Sequence, residues 1–252
     1  TGRNLVGLCP FHGEKTPSFV LYPENDSFYC FGCGAGGDTI TFIRKIENLD
    51  YIEAVKLLAQ RAGLEMPEDA RRDDGTVKLK LRILEANREA ARFFHAQLNA
   101  QCGEKALEYL HGRRLSNATI NHFGLGFAPG SWSALCDHMK RAGFSQQELV
   151  MANLASQGRN GGVYDRFRDR VIFPIIDVRG NVIAFSGRVL EKAEPKYLNS
   201  SETLVFEKSS VLFALNFAKS SGQPNLILAE GPMDVISLHQ AGFTNAVATQ
   251  GT

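Results

Sequence analysis

Residues 7–38 read GLCPFHGEKTPSFVLYPENDSFYCFGCGAGGD, and two short arms within this stretch decide the fold of the first part of the chain. The first arm is Cys9-Pro-Phe-His12 and the second is Cys30-Phe-Gly-Cys33. Zinc prefers thiolate and imidazole ligands, and a spacing of two residues lets both side chains of a tight turn face one ion. The spacing therefore predicts one structural zinc ion. Its ligands are Cys9, His12, Cys30 and Cys33.

The residues between the arms support a zinc ribbon. Ser18–Tyr22 and Ser27–Phe31 are rich in aromatic residues, and the turn sequence at 23–26 predicts that they form a hairpin. Such a hairpin would bring the two arms together, and glycines at 32 and 34 would let the second arm fold beneath the metal. With four protein ligands the ion has no open position for water, which indicates a structural role.

Two other interpretations of this stretch are weaker. The cysteines could be buried beside a surface histidine, but two paired motifs at metal-ligand spacing rarely arise by chance. The glycine-rich run at 32–37 could cradle a phosphate, but it lacks a Gly-Lys-Ser/Thr ending and a preceding parallel strand. Aromatic side chains of the hairpin that stay exposed could stack on unpaired bases, with Arg3, Lys15, Arg44 and Lys45 near them in the sequence.

Composition narrows the class of protein. The chain has 252 residues, 44% of them hydrophobic, and a net charge of +1, so its bulk charge does not by itself indicate whether it binds nucleic acid. It lacks a membrane-spanning apolar run and a secretion signal. The odd number of cysteines suits a reducing cytoplasm, with Cys102 and Cys136 expected to be small buried residues on helices. Because the chain starts at Thr1 and stops just after a predicted strand, we expect a fragment.

The pattern along the chain predicts an α+β protein of several domains. Residues 1–67 form the zinc-binding unit, in which Asp38 caps one helix and Asp50 with Glu53 begins another. Residues 68–78 are predicted as a linker, because they are charged and contain no apolar periodicity at their start. A mixed α+β unit follows over 79–218, beginning with a long amphipathic helix. Residues 219–252 start an α/β fold, since apolar runs at 226–229 and 246–249 flank a helix.

A cluster of basic residues marks the mixed unit. Arg166, Arg168 and Arg170 alternate with other residues just before a predicted hairpin over 170–189, and in an extended chain all three project to the same side. Arginine forks hold phosphates. Taken alone, the pattern is somewhat more typical of a solvated charged face paired with neighbouring carboxylates than of a phosphate site.

Two acidic residues follow the first strand of the α/β unit. Glu230 ends that strand and Asp234 lies near the start of the next helix, so the pair could share one Mg²⁺ at the strand's carboxyl end. Gly231 between them is expected to permit a sharp turn. The alternative is that Asp234 only favours the helix N-terminus while Glu230 pairs with a surface base.

The order of these motifs resembles one family. The stretch GLCPFHGEKTPSF…FYCFGCGAGGD is similar to the CHC2-type zinc-binding domain of bacterial replicative DNA primases. The stretches RFRDRVIFPI, VIAFSGRVL, PKYLNSSET and FEKSSVLF resemble the core of that family's RNA polymerase domain, and AEGPMDVISLHQAGF resembles the opening of its toprim subdomain. The resemblance covers essentially the whole chain.

The resemblance implies a function and site residues. It implies a DNA-directed RNA polymerase that makes short RNA primers from ribonucleotides on single-stranded DNA, with Mg²⁺ or Mn²⁺ at Glu230 and Asp234 and zinc in the template-recognising domain. It also implies a replicative helicase partner, reached through a C-terminal domain that these residues do not include, and no membrane partner. The residues implied to handle nucleotide, template or RNA are Arg166, Arg188, Lys196, Asn199 and Lys208.

The rival functions share parts of this pattern. They are a phage primase–helicase, another toprim enzyme such as a recombination mediator, and a zinc-ribbon module that only binds single-stranded DNA. The segments between the zinc site and Glu230 argue against the second, and the predicted βαβ unit argues against the third. A complete toprim site needs further aspartates from later strands, so we expect this polypeptide alone to have little or no polymerase activity.

Overall fold

The computed structural model describes residues 4–47, 49, 51–64, 74–158, 161–190 and 195–250. The chain divides into two compact units, Thr1–Asp74 and Gly75–Thr252. Within the described ranges, every helix is too short or too polar to cross a lipid bilayer.

The first unit is a small antiparallel sheet followed by two helices. The strand order is β1-β2-β3-β4, so each strand pairs with its neighbour in the chain. The strands are β1 Leu5–Gly7, β2 Phe19–Tyr22, β3 Ser27–Cys30 and β4 Gly36–Asp38. The helices are α1 Thr39–Ile46 and α2 Tyr51–Arg61.

The predicted hairpin is confirmed as β2 and β3, which pair from Phe19 opposite Cys30 to Tyr22 opposite Ser27. The sheet is wider than the hairpin, because β1 and β4 add a strand on either side. Asp38 caps α1 as predicted, since its carboxylate accepts a hydrogen bond from the Thr41 amide at 2.7 Å. The predicted role of Asp50 lies outside the described residues.

Four phenylalanine rings form the core of the first unit. Phe19 and Phe28 come from the hairpin and are buried, with their ring centroids 5.4 Å apart. Phe11 from the first metal arm and Phe42 from α1 pack against both of them. The hairpin therefore divides its aromatic residues as expected, because Tyr29 and Phe31 remain 42% and 69% exposed.

The second unit begins with a helix that replaces part of the predicted linker. The helix starts at Asp74, so residues 74–78 are helical. The helices of this unit are α3 Asp74–Leu98, α4 Glu104–Gly112, α5 Asn117–His122, α6 Ala134–Arg141, α7 Gln146–Met151, α8 Leu215–Ala218 and α9 Pro232–Gln240. The strands are β5 Gly126–Ala128, β6 Ala155–Gln157, β7 Val163–Asp165, β8 Arg170–Ile176, β9 Val182–Val189, β10 Tyr197–Asn199, β11 Ile227–Ala229 and β12 Ala246–Ala248.

The central sheet of this unit has the order β10-β9-β8-β5 and is buried on both faces. Strand β8 is a nearly continuous apolar run, as a strand covered on both faces requires. Val171 and Phe173 belong to a core cluster that also holds residues of α4 and α9, whereas Ile172 belongs to a cluster with α3 and α6. The hairpin predicted over 170–189 is confirmed as β8 and β9.

The predicted βαβ unit is also confirmed. Strands β11 and β12 are parallel, with Leu228 opposite Val247, and α9 connects them. The prediction that both isolated cysteines are buried is half correct. Cys136 is buried in α6, but Cys102 is exposed in the 3₁₀ turn before α4.

Candidate functional site

The four predicted zinc ligands lie together in the first unit. Their ligand atoms all fall within 4.8 Å of one another, and this is the one group of at least three potential metal ligands among the described residues. The Sγ atoms of Cys9 and Cys33 are 3.8 Å apart, and Cys30 Sγ lies 3.8 Å from His12 Nδ1. Two thiolates bound to one zinc at about 2.3 Å lie about 3.8 Å apart across a tetrahedral angle. The cluster therefore fits zinc.

Two glycines shape the second arm, as predicted, for different reasons. A Cβ atom at Gly32 would lie 2.7 Å from His12 Nε2 and from Ser18 Oγ, so a side chain there would displace a ligand. Gly34 has a φ of +72°, in the left-handed region that favours glycine. The arm then closes through a hydrogen bond from the Gly34 amide to Cys30 O at 2.9 Å.

The surroundings of Cys30 favour its thiolate, which is the form that binds metal. Burial opposes the charge, but hydrogen bonding with the Ser18 side chain and a hydrogen bond from the Cys33 amide outweigh that effect and lower the pKa of the thiol to about 6. Ser18 Oγ lies 3.2 Å from the sulfur. Burial raises the pKa of Cys9. The sequence pattern did not single out Ser18, because a serine inside a strand-forming run carries no distinctive signal.

The two predicted magnesium ligands lie at the carboxyl end of β11. Glu230 follows the strand, Asp234 lies in the first turn of α9, and both side chains are exposed. Gly231 is extended, with a φ of −162°, so the turn does not require glycine as predicted. Among the described residues, no third potential ligand lies close enough to complete a group with this pair.

Arg188 lies close to two tyrosine rings in the same unit. Its guanidinium is 5.2 Å from the centre of the Tyr109 ring and 5.4 Å from that of Tyr197, and it donates to Tyr197 Oη at 3.0 Å. Burial raises the pKa of Tyr197, and the neighbouring Arg188 guanidinium offsets part of the increase. The fold therefore pairs a predicted basic residue with a tyrosine of β10.

Arg166 and Asn199 form a second polar group. Arg166 Nη2 donates to Asn199 O at 3.1 Å and to Ser201 Oγ at 3.2 Å, and desolvation lowers the pKa of its half-buried guanidinium. The side chain of Asn199 donates to Gln250 O at 2.7 Å and accepts from Ser186 Oγ at 2.6 Å. Asn199 therefore joins β10 to the residues after β12.

The predicted row of three arginines is wrong. The segment between β7 and β8 is not extended, because Asp169 has a φ of +51°. Arg168 stacks on Trp132, 4.1 Å from the ring centre, and donates to Asp165 O. Arg170 is buried and donates to backbone carbonyls of residues 187 and 195. The guanidinium groups therefore point to different partners.

Asp165 holds this segment in place. Its buried carboxylate accepts from the Leu135 amide at 2.8 Å and from the Cys136 amide at 2.9 Å, at the N-terminus of α6. Its own amide donates to Trp132 O at 2.8 Å. A carboxylate is favourable at a helix N-terminus, where amides lack intrahelical partners. Asp165 therefore connects the arginine segment to α6.

Asp165→Asn is expected to destabilise the second unit by about 2–3 kcal/mol, because one buried amide then faces an NH₂ group in place of a carboxylate oxygen. Trp132 is the single tryptophan of the chain, so its fluorescence during urea unfolding measures this unit alone. The matched control is Asp169→Asn, since that side chain is exposed and asparagine tolerates a positive φ. Equal unfolding midpoints for the two variants would rule out the capping role.

Lys196 and Lys208 remain exposed, Lys196 just before β10 and Lys208 in a 3₁₀ turn. Three aromatic residues that the sequence pattern did not single out lie against arginine side chains of this unit: Tyr109, Trp132 and Tyr197. Trp132 is 63% exposed. Isolated aromatic residues carry no sequence signal for a site, because most of them are core residues.

The comparisons with known proteins cover both units. Three family models match: "CHC2 zinc finger" over residues 1–74, "DNA primase catalytic core, N-terminal domain" over 93–219 and "Toprim domain" over 225–252. The chain is 45% identical to a DNA primase of Clostridium acetobutylicum over 254 residues, and 46% identical to one of Pseudomonas putida over 261 residues. Both alignments include the whole chain, but only 42% and 39% of the relatives.

Solved structures agree with the families. A DnaG primase catalytic domain bound to ssDNA superposes with a TM-score of 0.65 at 39% identity, over 70% of this chain and 57% of that one. The zinc-binding and RNA polymerase domains of the Aquifex aeolicus primase match 100% of this chain and 61% of that one, with a TM-score of 0.63 at 33% identity. Since the catalytic-core model alone matches half of the residues, the chain belongs to the DNA primase family.

Proposed function

We propose that the full-length protein containing this chain is a DNA-directed RNA polymerase that synthesises short RNA primers on single-stranded DNA. The observation that carries the proposal is the pair of exposed carboxylates, Glu230 and Asp234, at the carboxyl end of β11, in the segment that matches the toprim model. These carboxylates would bind the metal, and Arg188, in the segment that matches the primase catalytic core, would bind phosphate. Nucleotidyl transfer needs both groups at one site.

The acidic residues would hold the catalytic metal. Oxygen ligands suit Mg²⁺ or Mn²⁺, and Glu230 and Asp234 are exposed at the end of β11, where a nucleotide can approach. Bound there, a divalent ion would neutralise charge on the phosphates during transfer. Arg188, which donates a hydrogen bond to Tyr197 Oη, would orient the same phosphates.

The remaining basic residues would bind template or primer. Lys196 and Lys208 are exposed and can follow a mobile phosphate backbone. Arg166 and Asn199 already form hydrogen bonds within the protein. Their proposed role is therefore to position neighbouring parts of the site as well as to donate hydrogen bonds to nucleic acid.

The zinc unit would recognise the template. Tyr29, just before the second metal arm, and Phe31, within it, are exposed, and base stacking on such rings is sequence-tolerant. Lys15, Arg44 and Lys45 are exposed in the same unit and can bind phosphates, whereas Arg3 lies outside the described residues. Ribonucleoside triphosphates, the RNA primer and a replicative helicase are the further partners we propose, in the cytoplasm. Residues 1–252 alone are still expected to make little or no RNA.

The test is primer synthesis by the full-length protein on single-stranded DNA, with ribonucleotides and Mg²⁺. The proposal requires short RNA products that disappear when template or metal is omitted. Strand unwinding driven by nucleotide hydrolysis would favour the primase–helicase alternative. DNA binding without any RNA product would reduce the protein to a binding module and refute the proposal.

Lys196→Ala is expected to weaken single-stranded DNA binding about equally for all sequences and to lower the salt dependence by about one phosphate contact. The lysine is exposed, so stability should not change. Fluorescence anisotropy of a labelled oligonucleotide at several salt concentrations measures both quantities. Lys219→Ala removes another exposed lysine of the same unit and serves as the control. An unchanged salt slope in Lys196→Ala would contradict the assignment.

A further inference from the structure

Glu14 lies beside the zinc cluster although it is not one of the ligands. It follows His12 by two residues in the loop between β1 and β2. Its side chain is only 11% exposed, which is uncommon for a carboxylate. It contacts both ligands of the first metal arm and the serine that precedes β2. A buried carboxylate needs partners for each oxygen, and both oxygens of Glu14 have them.

The two oxygens have separate partners. Oε1 accepts from the Cys9 amide at 2.7 Å and from the Ser18 amide at 3.1 Å. Oε2 accepts from the Ser18 hydroxyl and lies 3.2 Å from His12 Nε2. One oxygen therefore braces the loop, and the other faces the imidazole.

The imidazole of His12 has its two nitrogens in different environments. Nδ1 lies 3.8 Å from Cys30 Sγ, on the side of the ligand atoms, whereas Nε2 faces Glu14. A neutral imidazole carries one proton, so a carboxylate at Nε2 favours the tautomer with the proton on Nε2 and a lone pair on Nδ1.

We propose that Glu14 is a positioning residue for the zinc ion: its Oε2, 3.2 Å from Nε2 of His12, accepts the Nε2–H bond when zinc is bound and thereby presents Nδ1 to the metal. The inference rests on the zinc site described above. A carboxylate behind a histidine ligand also increases the basicity of the ring, and losing such a group typically lowers metal affinity 10–100-fold. Through Ser18, whose hydroxyl lies 3.2 Å from Cys30 Sγ, the same carboxylate connects the His12 and Cys30 arms.

Glu14→Gln separates this role from the bracing of the loop. The amide oxygen of glutamine can still accept from the Cys9 and Ser18 amides, but its NH₂ group cannot accept from Nε2–H. We expect the affinity of the 252-residue chain for zinc to fall about 10–100-fold, measured by competition with a chromophoric chelator. Glu47→Gln is the control, since this carboxylate pairs with Arg61 on the helices of the same unit.

The ring nitrogens provide a readout that a bracing role would not change. In the zinc-bound wild-type chain, long-range ¹H–¹⁵N spectra of His12 should show Nδ1 bound to metal and Nε2 protonated. Ser18→Ala keeps the contact between Glu14 and His12, so it should retain this pattern. The same spectra of Glu14→Gln are recorded at saturating zinc. If the first unit of Glu14→Gln does not fold, Glu14→Asp is measured in its place.

The outcomes are distinct. Coordination through Nε2 in the wild type, or an affinity of Glu14→Gln within about twofold of the wild type, would overturn the proposal while leaving the zinc site intact. Zinc binding by Glu14→Asp within about twofold of the wild type, with His12 bound through Nε2, would overturn it as well. A wild-type chain that binds no zinc would instead refute the metal assignment itself.

Discussion

Cys30→Ser should release zinc from the chain and unfold the first unit, with the second unit left folded. Cys30 is fully buried at the junction of β3 and the second metal arm, and a serine hydroxyl is a poor ligand for zinc. Among the described residues of this unit, the core cluster is small and consists mainly of phenylalanine rings beside the metal ligands, and small zinc domains of this kind fold through metal binding. Losing one ligand therefore removes much of the energy that holds the sheet together.

Two measurements follow this variant separately in each unit. Zinc content of the purified chain should fall from about one equivalent to near zero. Trp132 belongs to the second unit, so its fluorescence transition in urea should keep its midpoint. Cys102→Ser is the control, because this exposed cysteine lies outside the cluster. One full equivalent of zinc in Cys30→Ser would refute the ligand assignment.

Glu230→Gln in the full-length protein should reduce primer synthesis by about 10²-fold or more, because a neutral amide neither offsets the charge of a divalent ion nor binds it comparably. The side chain is exposed, so the fold should not change. The measurement is the initial rate of RNA synthesis at saturating ribonucleotide over a range of Mg²⁺ concentrations, alongside DNA affinity.

The pattern of loss distinguishes catalysis from binding. Affinity for single-stranded DNA should stay within about twofold, since the proposed template contacts come from lysines elsewhere in the unit. Glu104→Gln, in the first turn of α4, removes one exposed carboxylate from the same unit and should leave the rate unchanged. A wild-type rate in Glu230→Gln would refute the catalytic role of this residue. Equal losses in rate and DNA affinity would mean that Glu230 contributes to DNA binding, which would refute a role in metal binding alone.

Local chemistry explains why much of the site was predictable from sequence. The two ligands of each metal arm are separated by only two residues, so a tight turn alone brings Cys9 to His12 and Cys30 to Cys33. The hairpin that joins the arms depends on alternating aromatic residues and a turn sequence, which are also local signals. The same holds for the hairpin of β8 and β9 and for the βαβ unit that carries Glu230.

Contacts between distant parts of the chain were not predictable in this way. The row of arginines failed because the backbone at Asp169 turns into the left-handed region, and each guanidinium then found a different partner. Arg188 stacks on Tyr109, which comes from a helix far back in the sequence, and no pattern near either residue announces the pair.

The sequence by itself therefore determined the metal-binding residues, the order of the units and their family resemblance, because these depend on short spacings that any fold of this chain must keep. Only the tertiary structure decided which basic side chains are exposed, and which lie against aromatic rings or are buried against carbonyl groups. It also decided that Glu14 faces Nε2 of His12. The physical reason is that desolvation and hydrogen bonding depend on which groups folding brings together. Groups far apart in the sequence do not interact in this way in the unfolded chain, so no local pattern encodes these contacts.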